Sequence, residues 1–268
     1  MLCSLCGTRP ATTADGRCTV CAATRRSRAG GLMPSPAGPA PLSSLRSPAG
    51  IGTAVCVLLG AVAAADVVSI AAGINARQVF AEGSADDFLR YDEAAMDRAE
   101  MLYRFSGSPQ MLTFLATAVV FLVWFRRVRL NAEVFDAHAQ PMRPGWAIGA
   151  WFVPFVNFFL PYRVASGIWT ASTPAGRPFA SRALLNAWWA GLIGSRLFVV
   201  WSERRYTAAE EVDEVLDAFG LVIAADVLDI AAAVLAILFV RRLTAMQGER
   251  VAQRAAPVAP MPAAEQTG

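Results

Sequence analysis

Residues 219–240 read FGLVIAADVLDIAAAVLAILFV, and Arg241 and Arg242 follow at once. The run is long enough to cross the hydrocarbon core of a bilayer, which takes about 20 residues in helical form. Asp226 and Asp229 interrupt it. A charge at that depth is costly and marks either a structural pair or a functional path. The arginine pair after Val240 marks a cytoplasmic flank, because arginine and lysine resist translocation.

Three more runs of spanning length precede this one, at 51–74, 109–125 and 184–201. Composition agrees: of 268 residues 55% are hydrophobic and 17% charged, against roughly 25% charged in a soluble domain. Mean hydropathy is +0.42. A single soluble domain, a disordered protein and a disulfide-stapled secreted module are all excluded, the last because five cysteines are too few for this length. Pro109 opens its run, where a missing N–H costs little. Trp124, Trp188, Trp189 and Trp201 stand near the ends of their runs, which predicts rings at the headgroup level.

All 24 basic residues are arginine. With the N-terminus inside, the cytoplasmic segments carry 17 of them, the outer loops six, and one, Arg196, lies within a span. Both ends are therefore expected in the cytoplasm. Residues 145–169 compete as a fifth span, but Pro154 and Pro161 break them, and a full crossing would reverse the arginine asymmetry. The expected fold is an all-α polytopic membrane protein with four transmembrane helices over 51–247. Between spans 2 and 3 lies a broken, re-entrant or interfacial segment. In the first outer loop, Phe88, Tyr91, Ala95, Ala99 and Leu102 share a face at helical spacing, which predicts a capping amphipathic helix. Residues 24–50 and 248–268 are rich in Pro, Ala, Gly and Ser and read as a disordered linker and a disordered tail.

Cys3, Cys6, Cys18 and Cys21 form C-x2-C-x11-C-x2-C within residues 1–23. Two such knuckles complete a tetrahedral thiolate site. The spacer is shorter than in a full ribbon, so a compact zinc-ribbon-like knuckle module is expected, with Gly7 and Gly16 at its turns. In a reducing cytoplasm the site is read as one structural Zn2+ per chain, with rubredoxin-type iron or a redox-active dithiol as alternatives. Cys56, within the first span, reads as a small buried hydrophobe.

Four charges lie inside spans: Asp66, Arg196, Asp226 and Asp229. At about 1.5 Å per residue, all fall in the outer half of the bilayer. Arg196 is expected to pair with Asp226. One cation then faces three carboxylates, and the cluster is read either as polar glue between helices or as a proton- or cation-binding site open to the outside.

FLVWFRRVRLNA at 121–132 and PGWAIGAWFVPFVNFFLPYRVASGIW at 144–169 resemble the signature of bacterial membrane proteins grouped as the domain of unknown function 4328 family. The matching positions are Trp124, Arg126, Asn131, Pro144, Gly145, Trp146, Trp151, Pro154, Asn157, Pro161, Tyr162 and Trp169. Gly167 stands where that pattern carries an acidic residue. The resemblance implies a four-span domain and supplies no activity. Physically, Trp146 and Trp151 are expected to anchor at the interface. Pro154 and Pro161 would expose carbonyls that Asn157 satisfies, leaving either simple packing or a groove for a lipid, a peptide or a partner helix.

Two functions compete on these residues. One is a membrane scaffold or regulator that displays the metal module to a protein partner. The other is a small ion- or proton-coupled transporter on Asp66, Asp226 and Asp229, working as a homo-oligomer. No catalytic motif frames the aspartates, so no enzyme is expected, and the small net charge of +3 argues against nucleic acid.

Overall fold

The computed structural model describes residues 2–4, 6, 8–12, 16, 18–19, 45–85, 92–176 and 181–255. The chain forms two compact units, Met1–Pro41 and Leu42–Gly268. The larger unit is helical. Its elements are α1 (Ala49–Ala85), α2 (Glu93–Phe135), α3 (Trp146–Gly149), a 3-10 turn at Val156–Phe158, α4 (Leu160–Ser172), α5 (Ala183–Ala208) and α6 (Val212–Ala255). Four of them, α1, α2, α5 and α6, are long and apolar enough to cross a membrane.

These helices outrun the apolar runs that mark them. At about 1.5 Å per residue, the 44 residues of α6 measure roughly 65 Å, twice the hydrocarbon thickness. The overhang corrects two expectations. Ala95, Ala99 and Leu102 belong to α2 itself and not to a separate capping helix; Ala99 is buried and Leu102 exposed, so they do not share a packed face. Phe88 and Tyr91 lie outside the described residues. Pro109 sits inside α2, whose first turn starts at Glu93 with the Asp92 carboxylate accepting from the Ala95 N–H at 3.0 Å.

The expected linker and tail are also partly ordered. Leu45 packs on the core, and Arg46 exchanges backbone hydrogen bonds with the Asn131 amide at 3.2 and 2.8 Å. Residues 248–255 continue α6, where Arg254 donates to the carbonyls of Val134 and Phe135. Residues 24–44 and 256–268 of those two segments lie outside the described residues.

α1 packs against α2 and α6, and α5 packs against α6. The main core gathers aromatic rings toward one end. Phe239 lies stacked between Trp188 at 4.1 Å and Trp169 at 6.1 Å. Trp124 is fully buried and donates its indole N–H to Thr244 at 3.3 Å. Trp124 and Trp188 thus build the interior, not a headgroup belt; a ring this large buries most apolar area where it is enclosed. Trp189 is half-buried and Trp201 exposed. The opposite end closes over Phe219, which packs on Phe80, Tyr103 and Tyr206.

Between α2 and α5 the backbone is broken as the prolines dictate. Pro154 has no N–H to extend a helix. Phe155 takes a left-handed φ of 62° that costs a non-glycine residue about 1–3 kcal/mol. Pro161 occupies the first turn of α4, where it fits.

Candidate functional site

In the N-terminal unit, backbone geometry draws the thiols together. Leu2 bridges Pro10, the Cys3 N–H donates to the Arg9 carbonyl at 2.8 Å, and the Ser4 N–H donates to the Gly16 carbonyl at 2.9 Å. Gly16 has φ of +70°, a conformation that glycine adopts without strain. The sulfurs of Cys3, Cys6 and Cys18 then lie within 4.8 Å of one another. Cys6 Sγ and Cys18 Sγ are 3.9 Å apart, too far for a disulfide near 2.05 Å. Two thiolates on a tetrahedral ion at about 2.3 Å stand about 3.8 Å apart, so the donor set fits such an ion. Hydrogen bonds from Thr8 lower the Cys6 thiol to about 6, which favours the ligating thiolate. Cys21 lies outside the described residues.

In the helical unit, the four charges separate into two sites. Arg196 of α5 forms an ion pair with Asp229 and lies over the Phe114 ring at 5.1 Å. Its partner is Asp229 and not the expected Asp226. Three helical residues leave two side chains about 60° apart around the axis, enough for them to face different neighbours. Asp226 faces the other way. Gln110 of α2 uses one amide nitrogen to donate to Asp66 Oδ1 at 2.9 Å and to Asp226 Oδ1 at 3.0 Å. Gln110 is therefore the residue that joins α1, α2 and α6. Its signal in the sequence is an amide within an apolar run, which a count of charges passes over.

A cavity of about 450 Å³ lies between α2 and α5. Its walls are apolar, among them Leu59, Phe121 and Leu192. Arg196 and Asp229 line it, as do Trp151 and Asn157 of the broken segment. Arg196 Nε, Trp151 Nε1 and Asn157 Oδ1 are buried without hydrogen-bond partners. The Asn157 backbone N–H donates to the Val153 carbonyl at 3.0 Å, and no hydrogen bond from its side chain to a carbonyl freed by the prolines is found among the described residues. Trp151 packs edge-on to Phe121, Phe125 and Trp189 and is half-buried, whereas Trp146 is exposed.

Tyr162 and Trp169, expected from the same resemblance, tie α4 to α5 and α6. Tyr162 donates to Asn186 Oδ1 at 2.7 Å, and Trp169 stacks on Phe239. Arg126 is exposed. Asn131 Nδ2 donates to Gln247 Oε1 at 3.0 Å. Buried Arg129 reaches the Met142 carbonyl at 2.5 Å and Glu133 at 3.2 Å. Gly167 explains itself sterically: a Cβ there would stand 2.8 Å from the Ala139 carbonyl oxygen. The glycine lets residues 139–141 close on α4, and Gln140 donates to its carbonyl at 3.1 Å.

Fold and site together define a multi-pass, all-helical membrane protein with a thiol cluster beside its N-terminus and polar residues within its helices. The chain belongs to the family described as domain of unknown function DUF4328, whose model matches residues 89–245, more than half of its length. No curated protein and no solved structure matches it.

Proposed function

We propose that the protein is a bacterial inner-membrane regulator or scaffold that carries one structural zinc ion in its N-terminal module and presents that module to a protein partner in the cytoplasm. The observation that carries this reading is the convergence of Cys3, Cys6 and Cys18, with Cys21 completing the tetrahedron from the C-x2-C spacing. Four protein ligands leave no open position, so the metal's work is to fold a surface and not to catalyse. The arginine asymmetry supports placing both ends inside. Exposed Phe152, Phe155 and Phe159, next to a strained backbone, support a re-entrant or interfacial segment that rests in lipid.

Metal analysis of the purified full-length protein tests the reading. About one zinc per chain is expected, falling to near zero in Cys3→Ser. Metal-free protein with oxidised cysteines contradicts it, and stoichiometric iron replaces zinc with the alternative.

The polar residues favour a second reading, an ion- or proton-coupled carrier, because Asp66 and Asp226 are brought together without a basic partner in hydrogen-bond reach. Proton or sodium flux in proteoliposomes that is lost in Asp66→Asn and Asp226→Asn supports the carrier. Flux unchanged by both variants leaves the scaffold.

A further inference from the structure

Asp66 and Asp226 are 2% and 8% exposed and come from different helices. The shared Gln110 nitrogen brings their carboxylates within about 6 Å of each other. An amide nitrogen has two hydrogens, and both are engaged. Beyond them, Oδ2 of Asp66 and Oδ2 of Asp226 are buried without hydrogen-bond partners.

The surrounding groups do not balance two negative charges. Arg196 of α5 acts on Asp66 through space but is paired with Asp229. Glu203 of α5 adds a negative charge, and Tyr103 of α2 is neutral as a phenol. The buried Ser69 hydroxyl of α1 sits beside Asp226. Two adjacent carboxylates in a low-dielectric interior are tolerated when a proton or a cation neutralises one of them. The cavity between α2 and α5 is lined by Arg196 and Asp229 but not by Asp66, Gln110 or Asp226. A hydrated cation needs such room, whereas a proton needs none.

We propose that Asp66 and Asp226 hold a single exchangeable proton between them, with Gln110 as the bridging donor, on the side of α6 that faces α1 and α2. Asp229, held by Arg196 on the side facing α5, takes no part. The proton is bound in place of a counterion, and loading it balances the charge of the pair while leaving the Arg196–Asp229 pair intact. The inference deepens the carrier reading but requires only that these helices lie in the membrane.

Infrared spectroscopy of the full-length protein in liposomes tests it. The wild type should show a deuterium-sensitive stretch of a protonated carboxyl group that titrates with pH. Asp66→Asn and Asp226→Asn should each abolish it, Asp229→Asn should keep it, and Gln110→Leu, which retains both carboxyls, should shift its frequency. No such band in the wild type, or a band that survives both asparagine variants, overturns the proposal. A band removed by sodium or calcium at constant pH assigns a metal ion instead and overturns it equally. Helical circular dichroism confirms that each variant is folded, and the wild-type band decides the matter if one is not. Proton flux is measured separately: a band without flux defeats the carrier reading and leaves the proton site standing.

Discussion

Gln247 is 1% exposed and ties three helices together. Its amide nitrogen donates to the Val128 carbonyl of α2 at 2.9 Å and to Ser172 Oγ of α4 at 3.1 Å, and its oxygen accepts from Asn131 at 3.0 Å. Gln247→Leu keeps the approximate volume and removes all three bonds. At a net value of about 1 kcal/mol each, their loss costs about 3 kcal/mol. The greater apolarity of leucine offsets about 1 kcal/mol, and the Asn131 N–H left without its partner adds about 1–3 kcal/mol. The expected destabilisation is about 3–5 kcal/mol. At roughly 2–4 °C per kcal/mol for a chain of this size, the Tm should fall by roughly 6–20 °C. Thermal unfolding in detergent, followed by helical circular dichroism, measures it. A double-mutant cycle with Asn131→Leu should show a coupling of about 0.5–3 kcal/mol, since the two amides act as one network. An unchanged Tm, or strictly additive effects, would refute the reasoning.

Trp188→Ala removes a ring stacked 4.1 Å from Phe239 and should cost about 3–5 kcal/mol, read from the same melting curve; a loss below about 1 kcal/mol would show that the stack is not integral to the core. Gly167→Asp drives a Cβ against the Ala139 carbonyl, so it should destabilise by about 1–3 kcal/mol and expose residues 139–141 to proteolysis; an equally stable variant contradicts the steric account. Arg196→Ala leaves Asp229 without its cation and should destabilise by about 1–3 kcal/mol, with Arg196→Ala/Asp229→Asn recovering part of that loss. If the double variant is no more stable than the single one, the unpaired Asp229 carboxylate is not what the loss of Arg196 costs, and the reasoning fails.

The apolar runs and their arginine flanks made the four long helices legible, because a bilayer selects for length and hydrophobicity together. The ends of those helices were not legible. Residues such as Glu93, Asp97 and Arg254 lie beyond the apolar runs and carry no apolar signal, yet they remain helical. Prolines 154 and 161 announced the break before α4, since each withholds an N–H. The side-chain partnerships were harder to read. Arg196 could reach either aspartate by spacing alone, and only the packing of α6 between α1 and α5 assigns Asp226 to one neighbour and Asp229 to the other. Gln110 and Gln247 carry little signal in the sequence, because an uncharged amide gains its role only when partners 44 and 116 residues away are brought beside it. The thiol cluster was the reverse case, as the C-x2-C spacing states its chemistry locally.

The proposed function requires four membrane crossings with both ends inside the cell. Cysteines placed one at a time at Thr207, in the last turn of α5 beyond Trp201, and near the C-terminus in a cysteine-free background can be probed with a membrane-impermeant thiol label on intact cells. Labelling at Thr207→Cys alone, with the C-terminal position reacting only after permeabilisation, is the predicted result. Labelling of the C-terminal position on intact cells, with Thr207→Cys protected, would contradict it.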